Sequence, residues 1–600
     1  MRNRKMTVGM TAAVMAGFIA LASVYGAAIG AQIHTDPERL ETETEETELE
    51  TEAVLEWLDV LFDSKNAAMA TDSGMMMEAC EEDGYYAWSE PVVLNWNTEE
   101  YNTVEETGFR LVKQYPFSTF GMDVDTASYA LLRRNILDDT MEWMPEDGIR
   151  IEEMINYFNY DYEMPQEDDT FSITAQIAPC PWNPDTKLLL VGLQAKDIPQ
   201  EEIPDQNLVL LVDTSGSMYD ENKLPLAVSA LKLMLKDMDE NDAISLVTYA
   251  GSSEVLLEGV RCTPEGKEKI TAALDSLEAN GGTYGETGLR TAYELAQASY
   301  SEGANNRVLL LTDGDFNLGQ TDDSELVKLV QEKAEGKIFL SILGFGSGNY
   351  NDVLAEELAD KGNGNYSYID SDMEARRVMG GALKGTLNTV AKDAKIQIDF
   401  NPAQIKGYRQ IGYENRQMDA EDFEDDTKDG GEVGAGQQVT ALYELVMADS
   451  DFEIRSAQSK YTQTETAPET GKADASDSAK DQKVSLTIAG ETEAADAGTA
   501  DTAGSLADEY LTVSIRYKDP DAEESRLQEL IVDASAELEE MSDNMSWAGG
   551  VAQAGMLLRG SEFAGDSDYT AVRSRLRELT GGDEFREEFI YLLGRVANMG

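Results

Sequence analysis

Asp213, Ser215 and Ser217 set one carboxylate and two hydroxyls at alternate positions of the run Asp213-Thr214-Ser215-Gly216-Ser217. Alternation puts the three oxygens on one side of a tight turn, and Gly216 supplies the backbone freedom such a turn needs. A second oxygen cluster stands at Thr312-Asp313-Gly314-Asp315, and between the two comes Gly281-Gly282-Thr283, opening a helix-forming run. All these donors are hard oxygens, few carry formal charge, and nitrogen and sulfur are absent. That set suits Mg²⁺ or Mn²⁺ with waters retained, better than zinc or a calcium cage of many ligands. The competing reading is local: Asp and Ser are favoured helix caps, and one such loop alone is as good a cap as a ligand. Three elements in order favour the metal.

Other chemistry is excluded by what the chain lacks. Its one histidine, His34, removes Ser-His-Asp and Cys-His catalysis, His-ligated zinc and a histidine general base. Cys80, Cys180 and Cys262 are far apart, form no CxxC and give no disulfide framework, so three unpaired thiols are expected. No phosphate-binding GxxxxGK[ST] loop occurs. Asp123-Val124-Asp125-Thr126 invites comparison with the DxDxT loop of haloacid dehalogenase-type phosphatases, but its threonine comes one place early and no apolar strand leads into it. Asp125 is expected instead to cap a helix over 127–132. With 47 basic against 115 acidic residues, a net charge of −68 makes nucleic acid and anionic lipid poor partners.

The elements that position the oxygens alternate. Strands are predicted at 208–212, 243–249, 308–311 and 338–343. Helices are predicted at 223–238, 266–277, 287–298, 324–333 and 351–360. Continuous apolar strands between amphipathic helices predict an α/β fold, a doubly wound, mostly parallel sheet over 205–385. Asp213 then falls at the carboxyl end of the first strand, where ligands sit in such sheets.

The flanks read differently. Arg2, Arg4 and Lys5 precede an uncharged stretch, 6–31, and an acidic run follows. That order predicts a signal peptide or membrane anchor over 1–31 that sends the rest outwards; without a cysteine there, a lipoprotein is not expected. Residues 36–52 hold nine carboxylates and one arginine, so 32–100, with a Met-rich patch at 75–77, is expected to be an acidic disordered tether. Helices are predicted at 128–137 and 150–158, and strands at 171–177 and 187–194, within a companion segment over 101–200. Strands at 395–400, 438–446 and 510–517 make 390–520 β-rich, with a disordered insertion at 455–505. Helices at 547–558, 569–579 and 584–596 fill 521–600. Strand runs on both sides of the α/β block predict that it is inserted into a β-sandwich.

The loops resemble the metal-ion-dependent adhesion site of von Willebrand factor type A domains: Asp-x-Ser-x-Ser, a distant threonine, then an aspartate after a later strand. The resemblance carries the family's five metal-binding positions onto Asp213, Ser215, Ser217, Thr283 and Asp313, with none substituted. Further runs, among them 118–120, 123–129, 150–158, 312–317, 343–346 and 440–445, are similar to a bacterial subfamily of exported proteins. Its members have an N-terminal companion segment and a dedicated C-terminal region. The resemblance implies a metal with an open position that accepts a Glu or Asp carboxylate from a partner protein; Tyr284, Asp315 and Asn317 are candidate rim residues. The function expected is non-enzymatic, metal-dependent protein binding outside the membrane, with membrane contact only through the N-terminal segment. One alternative is an assembly factor working with a separate ATPase. The other is a Mg²⁺-dependent phosphoester hydrolase with Asp213 as nucleophile, against which stands the lack of a clearly placed lysine.

Overall fold

The apolar run 208–212 offers no polar face to water and must be covered on both sides. In the computed structural model it lies within Gln206–Asp213, buried along its whole length at the centre of a six-stranded sheet. The described residues are 99–599 except 167–168, 283–284, 315–322, 349, 381–384, 386, 429, 455–507 and 521. The N-terminal segment, nearly all of the tether, the insertion, His34, Cys80, Thr283, Tyr284, Asp315 and Asn317 therefore lie outside them.

Ala243–Tyr249 and Asn305–Thr312 pair with Gln206–Asp213 in parallel, one on each side. Phe339–Phe345 and Tyr366–Ile369 extend the second side in parallel, and Ser253–Arg261 closes the first side antiparallel. Helices Leu224–Asp237, Pro264–Asp275 and Asp372–Met379 bury their apolar stripes on one face. Gly285–Ala298, Asp323–Glu335 and Asp352–Lys361 cover the other. The strand order reverses at Gln206–Asp213, which opens a crevice beyond its carboxyl end and that of Asn305–Thr312. The doubly wound α/β expectation holds.

The sandwich is also present, and it draws on more of the chain than expected. One sheet runs Arg110–Leu111, Ile405–Ile411, Gln438–Met447, Lys187–Ala195 and Phe171–Pro179. The other runs Gln417–Met418, Phe117–Gly121, Thr389–Phe400, Glu509–Lys518 and Ser525–Asp533, with Gly431–Gly434 beside Thr389–Phe400. Phe171, Leu189, Val191, Leu193, Ile396, Ile398, Val513 and Ile515 fill the space between them. Lys187–Ala195 shows why its sequence lacks alternation. Leu189, Val191 and Leu193 face the sandwich, whereas Leu188 and Leu190 meet helices on the outside. Those are the C-terminal helices Asp543–Leu558, Tyr569–Leu576 and Glu584–Met599, which dock on the sheet through Trp547, Val551, Leu576 and Phe589.

The N-terminal companion segment joins the layers. Its helix Ala127–Leu137 packs Ala127, Ala130 and Leu131 on the α/β block and Tyr129, Leu132 and Ile136 on the C-terminal helices. The helix expected over 150–158 is shorter, Ile151–Asn156, because the chain leaves it to bury Tyr157 and Phe158 among Tyr129, Trp547, Phe585 and Phe589. Buried ion pairs tie the seam. Arg133 reaches Asp370 at 2.7 Å, Glu374 at 2.8 Å and Glu588 at 3.1 Å. Arg150, fully buried, holds Asp352 at 2.7 Å and also pairs with Glu153. Arg409 pairs with Glu444 at 3.0 Å. The cap expected of Asp125 is not formed. Thr126 occupies that position without a side-chain bond, and Asp125 accepts from Tyr366 N at 3.0 Å instead. Tertiary contact with the sheet edge wins over the local turn.

Candidate metal site

Asp213 ends the central strand with its carboxylate buried. Oδ1 accepts Ser215 N at 2.8 Å, and the Thr312 hydroxyl stands 3.5 Å from Oδ2. Burial outweighs the Ser215 hydrogen bonds and pushes its carboxyl up to about 6, with the nearby Asp313 charge adding to the rise. Across the sheet Tyr249 is in register with Asp213, and burial together with the Asp213 charge pushes its phenol well above the usual range.

The two serines are not spent as a helix cap. Ser215 precedes the short 3₁₀ turn Gly216–Tyr219 but makes no side-chain cap bond. Instead its hydroxyl lies 2.9 Å from that of Ser217. The loop that leads to Thr283 docks alongside: Asn280 N donates to Thr214 O at 2.7 Å and Gly216 N to Gly281 O at 3.1 Å. Thr283, Tyr284, Asp315 and Asn317 themselves lie outside the described residues.

Asp313 follows strand Asn305–Thr312 directly and is also fully buried. Gly314 turns the chain away with φ of 84°, and a Cβ there would lie 2.6 Å from Asn351 N, so glycine is required. Asp313 Oδ2 accepts from Lys223 Nζ at 2.9 Å, and Lys223 is itself 5% exposed. Lys223 and Tyr249 are the site residues that the sequence reading passes over. Where the sequence showed no clearly placed lysine, the structure brings Lys223 to Asp313 from the start of the next helix, Leu224–Asp237. A lysine ten places after Asp213, just before an apolar helix, was the available signal.

Among the described residues no group of three or more His, Cys, Asp and Glu side chains could hold a metal. An ion here would rest on Asp213, Asp313, the two serine hydroxyls and water. A buried carboxylate beside two hydroxyls free of cap duty fits a small hard cation.

Known proteins divide the chain along similar lines. Residues 95–190 match the family model described as von Willebrand factor, and 208–315 that of the von Willebrand factor type A domain. Residues 385–484 and 478–599 match the model "Uncharacterized protein YfbK, C-terminal". The chain is 37% identical over 510 residues to Uncharacterized protein YfbK of Escherichia coli (strain K12), covering 84% of this chain and 81% of that one. It is 30% identical over 176 residues to inter-alpha-trypsin inhibitor heavy chain H3 of Homo sapiens, 28% of this chain but 20% of that protein. Among solved structures it is similar to von Willebrand factor type A from Catenulispora acidiphila, with TM-score 0.37, 15% identity and coverage of 73% and 91%. The ArnB paralog VWA2 from Sulfolobus acidocaldarius gives TM-score 0.32, 14% identity and coverage of 72% and 98%.

Proposed function

The chain belongs to the YfbK family of von Willebrand factor type A domain proteins, and from that premise we propose that it is a metal-dependent protein-binding protein of the bacterial cell envelope, not an enzyme. Asp213, Ser215, Ser217 and Asp313, with Thr283 from the adjoining loop, hold Mg²⁺ or Mn²⁺ at the crevice. Protein ligands of so little charge leave the ion electrophilic, and a Glu or Asp carboxylate of the partner protein completes its shell. The observation that carries this reading is the convergence of the buried Asp213 and Asp313 carboxylates and the Ser215 and Ser217 hydroxyls at the carboxyl ends of two paired parallel strands. A buried carboxyl pushed up to about 6 is an unfavourable thing to keep unless a cation compensates it. The charged, apolar and then acidic order of residues 2–52 supports export, with the N-terminal segment as the sole membrane contact.

Isothermal titration of MgCl₂ and MnCl₂ into the full chain, beside Asp213→Ala, tests the reading. Saturable single-site binding lost in the variant is expected. Equal binding by both proteins rules out the ligand set.

A further inference from the structure

Lys223 brings a positive charge into the crevice, beside Asp313. Its ammonium lies 2.9 Å from Asp313 Oδ2, and neither side chain is exposed by more than a few per cent. The pair is not an accident of a loose surface chain. The Lys223 stem runs against Gly346, where any Cβ would overlap its methylenes, and Gly346 holds φ at 76°. Gly346 O in turn accepts from Arg134 Nη1 at 3.0 Å, and Gly348 N donates to Glu99 at 2.6 Å. Arg134 and Glu99 form an ion pair at 2.7 Å. Thus Arg134 of the companion segment, together with Glu99 just before that segment, clamps the loop on which Lys223 rests.

We infer that Lys223 is a built-in counter-ion of the metal site, a tethered cation that a divalent ion must displace from Asp313 or tolerate at close range. Both routes cost affinity. Displacement breaks a buried ion pair, and coexistence sets an ammonium against a doubly charged ion where water screens little. Lys223 therefore holds the affinity for the free ion low, so that the partner's carboxylate decides occupancy. The inference rests on the metal site proposed above and adds the residue that tunes it.

The test is titration of MgCl₂ into the full chain carrying Lys223→Gln, which keeps a donor for Asp313 without the charge. Lys223→Met is measured beside it as a second neutral variant, and Lys223→Arg as the charge-retaining control. At least about tenfold tighter Mg²⁺ binding by a neutral variant is expected, with Lys223→Arg within about threefold of the parent. In thermal unfolding the neutral variants should melt below the parent in EDTA, and Mg²⁺ should narrow that gap. Binding by the neutral variants that is equal or weaker overturns the inference while leaving the metal site intact. So does a melting gap of the same size in EDTA and in Mg²⁺, which marks Lys223 as structural only. Mg²⁺ binding by neither the parent nor any Lys223 variant removes the metal site itself, and this inference with it.

Discussion

Where the companion segment, the α/β block and the sandwich meet, Arg133, Arg150 and Arg409 each pair with carboxylates at ion-pair distance. At the crevice, burial outweighs the hydrogen-bond donors around Asp213, and Asp313 pairs with Lys223. Both regions are buried, and both belong to a chain rich in acid. These arginines are matched to carboxylates and tie three parts of the chain together, while Glu152 beside them is pushed up to about 7 by burial. The crevice leaves charge uncompensated, which raises the cost of the folded state locally and makes the place receptive to a cation.

Breaking the seam should have the largest effect. Arg150→Met strands Asp352 and Glu153 without their partner, and a loss of about 3–5 kcal/mol is expected in urea unfolding. A loss below about 1 kcal/mol would mean that the seam is no firmer than a surface pair. Next comes Glu374. Burial acting alone would raise its carboxyl, but Arg377 and Arg133 outweigh burial and hold it down at about 2. A depressed carboxyl stabilises the fold fully above its unfolded value near 4.5, and the contribution fades as pH falls through about 2. The stability difference between the parent and Glu374→Gln should therefore be about 2–3 kcal/mol at neutral pH and shrink below pH 4.5. A difference that stays flat with pH would show that the arginines do not act through charge.

The crevice should answer with the opposite sign. Asp213→Asn removes the uncompensated charge, so in EDTA the variant should be more stable than the parent by about 1–2 kcal/mol. Addition of Mg²⁺ should stabilise only the parent. Destabilisation by the variant in EDTA would mean that the Asp213 charge does not burden the fold. The smallest effect is expected at the exposed helix pair Arg290 and Glu286, 2.9 Å apart: Arg290→Ala should cost no more than about 0.5 kcal/mol in the same unfolding assay.

The α/β class was legible because its strands are continuous apolar runs and its helices carry stripes, and both signals are local. Ser253–Arg261 escaped notice because it is an antiparallel edge strand, largely exposed, with charge among its apolar residues. Phe117–Gly121 was hidden by its serine and threonine, which the sheet buries with polar partners such as Gln410 and Tyr443. At the crevice, type and spacing single out Asp213, Ser215, Ser217 and Asp313 as a candidate set, and the structure brings their loops to adjoining strand ends. Lys223 is not singled out, since its partner lies 90 positions away and only the fold joins them. The seam was equally silent, with Arg133 and Asp370 separated by 237 positions.

Strand Phe117–Gly121 lies beside Thr389–Phe400, which in turn needs Glu509–Lys518 on its other side. During synthesis the early strand must therefore wait for several hundred residues to follow it before its sheet can close. The six strands of the central sheet, by contrast, all lie between Gln206 and Ile369. That block can complete itself before the outer strands have found their partners. The order of assembly is thus written into the connectivity: centre first, envelope last. The early strands wait longest as exposed edges, the condition in which a nascent chain most needs a chaperone.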